Sequence, residues 1–521
     1  MVDGGLRRRA IFVWLETNDK LNTNTKHIIT MASATALQPL RNYIRQNIGH
    51  LRATPCLLIS SSPPPSISTA VAGTKNPDGL SKDEKQQQQH KQQLKFQQQQ
   101  NDPKTHAFVQ RNIQSIQLEF NLRTVPCTIS SAFPTTGSVN EAVSLAKRFG
   151  LKEGQFGSGD GLIIGIGSGA AMDLAKAVAD SLFGNISSCK DGNNQQEGGS
   201  LVLAPSTLGG FTAASSNTPS LLLDTKEEMI LPHLTSSWTA ALGGYCRQGT
   251  VVTMDQQLSL PPLYYPLQPP KRSESLPGPS MAHYAAAMLS ILIDVARALD
   301  ESNTQQPIDA VLLEDMKAVA SASASVLKLA AKEANESNII VQEGDSYATA
   351  QQHLLSAIPR LSAVVDQSSH LTHGSSVPHS LANAMLPQYF PSCHLVTYLA
   401  CILPGLCESL ATQPASNVEG KVSVVEELTK SIFSCVDDGG KTDGKVQVAS
   451  LLSWASQITE ETAIPTMASL AFGTPDINTL TGSLDSYDAL VGSMTGANAG
   501  IRASTDDFAV MEDVLHRSLN R

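Results

Sequence analysis

Charge is scarce in this chain: Asp, Glu, Lys and Arg make up 16% of its 521 residues, and aromatic residues only 5%. The formal balance is −10. Nucleic acid is therefore not an expected partner, because phosphate backbones are met by clustered Lys and Arg. The eight cysteines include no C-x-x-C pair, which excludes a zinc ribbon and a dense disulfide framework and leaves free thiols in a reducing compartment as the expectation. Long hydrophobic runs are also missing. The longest, residues 395–407, is shorter than the ~20 residues a spanning helix needs, and Pro404 falls inside it. No membrane segment and no internal repeat are expected.

What fills the gap is Ser, Thr, Gln, Asn and Ala. Residues 1–53 form an N-terminal extension in which Arg7, Arg8 and Arg9 precede an apolar stretch, and Arg41, Arg45 and Arg52 follow without an acidic neighbour after Met31. The cytoplasm is the expected location; a mitochondrial presequence is the alternative. Residues 62–104 carry two all-glutamine runs, Gln86 to Gln89 and Gln97 to Gln100, and no apolar period. Such a segment cannot bury enough apolar area to offset its ordering entropy, so it reads as a disordered, dispensable insertion.

Around that insertion the pattern alternates. Residues 55–59 read as a buried strand, 107–120 as a helix, 124–129 as a strand, and a helix from Ser138 ends at Gly150. The continuous apolar run Gly161 to Ile166 has the look of a strand covered on both faces, and Gly167-Ser168-Gly169 leads straight into a helix over 170–182, followed by a strand at 201–205. Strand, helix, strand with helices of this length predicts βαβ units and a mostly parallel sheet. Beyond Pro261 the spacing is helical throughout, and the last helix begins at the capping-box-like Ser504-x-x-Asp507. The expected architecture is a Rossmann-like dinucleotide-binding α/β domain at 54–260 followed by an all-helical domain at 261–521.

The glycine-rich turn has two readings. A pyrophosphate requires backbone N–H groups at a helix N-terminus with no side chain in the way, and Gly165, Gly167, Ser168 and Gly169 meet that need. The order departs from the G-x-G-x-x-G fingerprint. A glycine-rich turn equally lets a helix pack closely on a sheet.

At these residues the chain resembles the iron-containing (group III) alcohol dehydrogenases, with their glycerol dehydrogenase-like and maleylacetate reductase-like relatives. Gly167-Ser168-Gly169-Ala170-Ala171-Met172-Asp173-Leu174-Ala175-Lys176 is similar to the family's GGGSxxDxAK segment. Pro205-Ser206-Thr207-Leu208-Gly209-Gly210 with Leu221 to Asp224 behind it resembles the PTTAGTGSE loop and the next strand. Val251 to Asp255, Pro378 to Pro387 (PHGxANAxxLP, with Ser380 for Gly) and the C-terminal helix follow in the family's order, over about residues 54–521 without the glutamine-rich insertion.

The resemblance implies the dehydroquinate synthase-like fold and hydride transfer between NAD(P) and a small alcohol or carbonyl compound. It implies cofactor contacts from Ser61, Gly167, Ser168, Gly169, Asp173, Ser206 and Thr207. It also implies a divalent metal, iron or zinc, polarising the reacting oxygen. His379 matches the final ligand. Asp366-x3-His370 stands where the family has His-x3-His, which makes Asp366 a substitute ligand and His370 a proton relay; an exposed helix charge is the alternative for Asp366. The remaining ligand pair falls near Pro279 to Ala286 in one of two registers. One keeps His283 as ligand with Pro279 in place of Asp; the other leaves Ala282 and Ala286 at both positions. The expected metal set is thus His283, Asp366 and His379, with His370 and His379 catalytic. Loss of the metal would leave either a metal-independent reductase or a non-catalytic dinucleotide-binding protein. Ser61 at the end of the first strand, where an acidic residue selects NAD, predicts that NADPH binds at least as tightly as NADH. A homo-oligomer is compatible with the family.

Overall fold

A computed structural model describes residues 55–61, 123–129, 131, 133–151, 161–183, 200–205, 210, 213, 220–233, 279–301, 308–335, 343–372, 377–390, 393–412, 423–436, 448–470, 476–495 and 505–520. The N-terminal extension, the glutamine-rich insertion, the expected helix at 107–120, and Ser206 and Thr207 lie outside the described residues.

Four strands form one parallel sheet: β1 (Pro55–Ser61), β2 (Arg123–Ile129), β3 (Leu162–Gly167) and β4 (Ser200–Pro205), in the order β2-β1-β3-β4. β3 is buried at every position, as an unbroken apolar run between two covered faces must be. Among the described residues two helices belong to this unit, α1 (Thr136–Phe149) and α2 (Gly169–Phe183). α1 opens on a capping box between Thr135 and Ser138, and Gly150 ends it with a left-handed φ of 101°, the conformation that glycine adopts without a Cβ clash. α2 lies so close to β3 that a Cβ built on Gly165 would stand 2.9 Å from Cβ of Ala175 and 3.3 Å from the Ala171 carbonyl oxygen.

A hairpin, β5 (Ser220–Asp224) with β6 (Met229–His233), links two apolar cores. Leu222 packs into the core of the parallel sheet, while Met229 and Leu231 belong to the core of the helical unit. That unit comprises α3 (Met281–Glu301), α4 (Ala310–Asn335), α5 (Glu343–Thr372), α6 (Val377–Tyr389), α7 (Leu395–Thr412), α8 (Val424–Val436), α9 (Val448–Glu461), α10 (Met467–Leu470), α11 (Ile477–Thr495) and α12 (Thr505–Leu519).

α3 is its axis. Apolar on all sides, it is buried on all sides, packed against α4, α5, α6, α7 and α8. Pro404 does not interrupt the apolar run around it: α7 continues through the proline to Thr412. α3 and α7 are both long and apolar enough to cross a membrane, and 94% and 72% of their apolar windows are buried inside the protein. Gly405 on α7 lets α12 approach, since a Cβ there would meet Ser518 side chain and backbone.

Candidate active site

In the order β2-β1-β3-β4 the chain leaves β1 for β2 on one side and comes back for β3 on the other. That order makes the junction of β1 and β3 a topological switch point, and open α/β sheets take their ligands at the carboxyl ends of the strands there. Register fixes which residues reach it: Ser60 pairs with Ile166, Ile166 with Ala204, and Gly167 with Pro205. The carboxyl ends of β1, β3 and β4 thus stand level, with Ser61, Gly167 and the start of the segment carrying Ser206 at one edge. The side chain of Ser61 lies outside the described residues.

Gly167 has a φ of +123°, which a residue with a Cβ adopts only under strain. The chain turns there into α2, whose first hydrogen bonds run from the Ala171 and Met172 N–H groups to the Ser168 carbonyl. Ser168 stands at the N-cap position and is itself engaged, and Gly169 and Ala170 add no polar side chain at the head of the helix. The turn therefore presents backbone donors and the positive end of a helix dipole at the switch point, the arrangement that suits a phosphate. Gly165 has a different job: it admits α2 against the sheet, so the packing reading of the glycine-rich turn applies at this glycine.

Asp173 does not face this turn. It is 4% exposed, its carboxylate accepts the Leu221 backbone N–H, and burial raises its pKa to about 7 against the opposing pull of Lys176 and that hydrogen bond. Its Oδ1 has no hydrogen-bond partner. Lys176, fully buried, donates to the Ala213 carbonyl. The expected cofactor contact from Asp173 is corrected: the side chain ties α2 to β5.

The second cluster lies in the helical unit. His379 occupies the first turn of α6, and Val377, at the head of that turn, donates its N–H to Asp294 Oδ2 at 2.9 Å. Asp294 sits in the middle of α3. Its other oxygen accepts from Arg297 Nε at 3.1 Å, and Arg297 Nη1 pairs with Glu301. Asp294 and Arg297 are each 2% exposed. Pro378, next in the turn, has no N–H to satisfy, so the carboxylate serves a terminus that has few other partners. Burial lowers the pKa of His379 to about 4, leaving its imidazole neutral at neutral pH.

His283 is placed elsewhere. Ser280 gives both its backbone N–H, at 3.1 Å, and a hydroxyl contact, at 2.8 Å, to His283 Nδ1, while the His283 N–H returns to Ser280 Oγ at 3.3 Å. This is a capping box with imidazole in the role usually held by Glu. Since Nδ1 accepts a backbone N–H, the ring proton resides on Nε2, and neither nitrogen offers a lone pair to a metal. At α7 an imidazole caps in the other direction: His394 is the N-cap residue, and its Nδ1 accepts from the Val396 N–H. Burial first, and each other's proximity for His283, hold both rings down to about pKa 4.

His283 is thus a helix cap and not a metal ligand, and it stands eleven residues, about 16 Å of helical rise, from the Asp294 that receives the His379 turn. Asp366 and His370 lie on one helix, α5, four residues apart as expected; their side chains are outside the described residues. Among the described residues no group of three His, Cys, Asp or Glu side chains could hold a metal ion. The described donors do not fit the expected metal.

Asp294 and Arg297 escaped the sequence reading although a signal was present: two opposite charges three apart inside an otherwise apolar helix, where buried charges must be paired.

No family model and no curated protein sequence matches the chain. Among solved structures it is similar to an iron-containing alcohol dehydrogenase from Thermococcus thioreducens, at 13% identity over 91% of this chain and 97% of that one, with a TM-score of 0.48. It is also similar to an iron-containing alcohol dehydrogenase from Thermotoga maritima, at 14% identity over 94% of this chain and 96% of the other, TM-score 0.47. A sulfoacetaldehyde reductase from Bifidobacterium kashiwanohense in complex with NAD+ gives 12% identity over 92% and 94%, TM-score 0.47. These are likenesses of overall chain course, and no residue role is transferred from them.

Proposed function

We propose that the chain is an NAD(P)-dependent oxidoreductase that binds its dinucleotide at the β1/β3 junction and acts on a small alcohol or carbonyl compound. The observation that carries the reading is the turn at Gly167, with its positive φ at the switch point of a parallel sheet, leading directly into α2. Gly167, Ser168 and Gly169 hold the pyrophosphate through backbone N–H groups; Ser206 and Thr207, directly after β4, line the remainder of the cofactor. When bound, the nicotinamide supplies or accepts the hydride. The protein's part is to hold the substrate oxygen and move its proton, and His379 is the residue proposed for this, with His370 on α5 as relay. A ring kept neutral by burial donates its N–H to that oxygen over the whole neutral pH range without having to be charged first.

Gly169→Val tests the reading, because it places a Cβ beside the amides without disturbing the positive φ of Gly167. NADPH affinity, followed by cofactor fluorescence, should fall by at least roughly tenfold, about 1.4 kcal/mol, with the thermal midpoint nearly kept. Unchanged affinity would remove the turn from the site. Wild-type protein should bind NADPH at least as tightly as NADH; NADH tighter by about an order of magnitude would mean that Ser61 does not set the choice.

A further inference from the structure

The resemblance in sequence leads one to expect a divalent cation near His379, and the structure shows what stands there. Among the described side chains, the acidic one that reaches the His379 turn is Asp294. It is already bound to a cation, the guanidinium of Arg297, which continues to Glu301 along the same helix. Both members of the inner pair are almost fully buried, with side chains 3% exposed each. We propose that Arg297 is the resident cation of this site: its fixed positive charge compensates Asp294 and takes the place that a divalent metal would need.

Three physical points support the proposal. A guanidinium is charged at every accessible pH and cannot leave, unlike a bound ion. A buried carboxylate must be compensated, and Arg297 at 3.1 Å does this while the Val377 N–H occupies the other oxygen. The imidazole on α3 that the resemblance offered as a partner ligand, His283, is committed to its capping box. Chemically, the guanidinium is engaged by the Asp294 and Glu301 carboxylates, so the carboxylate beside the turn that bears His379 already has its cation.

The proposal rests on the reading of the His379 turn as the chemical centre, and it is tested on the whole chain with metal ions alone as probe. Purified wild-type protein is assayed for iron, zinc and cobalt by mass spectrometry and then titrated with Co2+ while its visible absorption is recorded. Arg297→Met, close in shape and uncharged, and the double variant Arg297→Met/Asp294→Asn are treated alike. Wild type should retain less than about a tenth of an equivalent of metal and develop no cobalt band, whereas Arg297→Met should take up Co2+ at least roughly tenfold more tightly, and the double variant should lose this. A wild-type chain isolated with one equivalent of divalent metal that disappears on Asp294→Asn overturns the proposal, whether or not Arg297→Met folds. Folded Arg297→Met that binds Co2+ no better than wild type also overturns it. NADPH titration of the same preparations keeps the two readings apart: wild type that binds no NADPH removes the dinucleotide assignment, and the metal results still decide the role of Arg297.

Discussion

The N-termini of α2 and α6 both bear on the proposed chemistry, and they are finished in opposite ways. α2 begins with Gly169 and Ala170, two residues without polar side chains, just beyond a turn in which Gly167 holds a positive φ. α6 begins under the Asp294 carboxylate; α3, α7 and α8 are likewise closed, by Ser280 with His283, by His394, and by Asp300, which accepts from Val424 N–H at 2.9 Å and from the Ser423 hydroxyl at 2.7 Å. A terminus meant for an anionic ligand has to stay open, whereas one that positions a side chain has to be filled from within. The comparison separates where the dinucleotide is expected from where the proton is handled.

Opening the closed terminus should have the largest effect. Asp294→Ala removes the cap of α6 and leaves Arg297 buried with one partner fewer; removal of one member of a buried ion pair costs about 3–5 kcal/mol. Denaturant unfolding should show this loss while NADPH affinity stays nearly unchanged, since the phosphate turn belongs to the other core. A fall in NADPH affinity equal to that of Gly169→Val would show that the two termini act as one site.

Next in size is a pH effect inside α2. Burial raises Asp173 to about 7 from the ordinary carboxylate value of 3.8. Between those values the folded chain holds a proton that the unfolded chain releases, so stability from this group is greatest at low pH and is lost as pH rises toward 7. At ~1.36 kcal/mol per pH unit, wild type should lose roughly 3 kcal/mol between pH 5 and pH 8 that Asp173→Asn does not lose. Parallel pH curves for the two proteins would mean that Asp173 is not held protonated.

Gly165→Ala should cost about 1–3 kcal/mol, because the new methyl meets Ala175 and the Ala171 carbonyl behind the turn. It should weaken NADPH binding less than Gly169→Val does; the reverse order would exchange the packing and phosphate roles of the two glycines. The smallest change is expected at the cap of α3, where Ser280→Ala should cost about 1 kcal/mol and leave metal content and turnover alone. A lost metal in that variant would return His283 to the ligand set.

Much of the α/β unit was legible in the sequence because its signals are local. The apolar run of β3, the glycine that ends α1 and the glycines that lead into α2 each act within a few residues of themselves, through sterics and hydrogen bonds that need no distant partner. Even so, Gly165 and Gly167 look alike in the sequence, and only the approach of Ala175 and the φ of +123° divide packing from turning.

The helical unit was legible as helices and hardly at all as a site. His283 drew attention because histidine is a metal ligand, yet its partner is Ser280, three residues away, in a motif normally written with Glu. Pro404 read as a break in an apolar run, but neighbouring helices hold α7 together through it. Asp294 gives no local sign of its partner, the Val377 N–H 83 residues later.

By itself the sequence determined the four strands of the parallel sheet, the helical texture beyond Pro261, and that a glycine turn at 167–169 starts a helix at the end of a buried strand, since each of these follows from nearest-neighbour geometry and apolar period. The tertiary structure alone decided that β1 lies between β2 and β3, which creates the switch point, and that the N–H of Val377 finds the carboxylate of Asp294, 83 residues earlier. The reason is that a buried charge or a helix terminus specifies only that a partner must exist; which residue becomes that partner is settled when the cores pack.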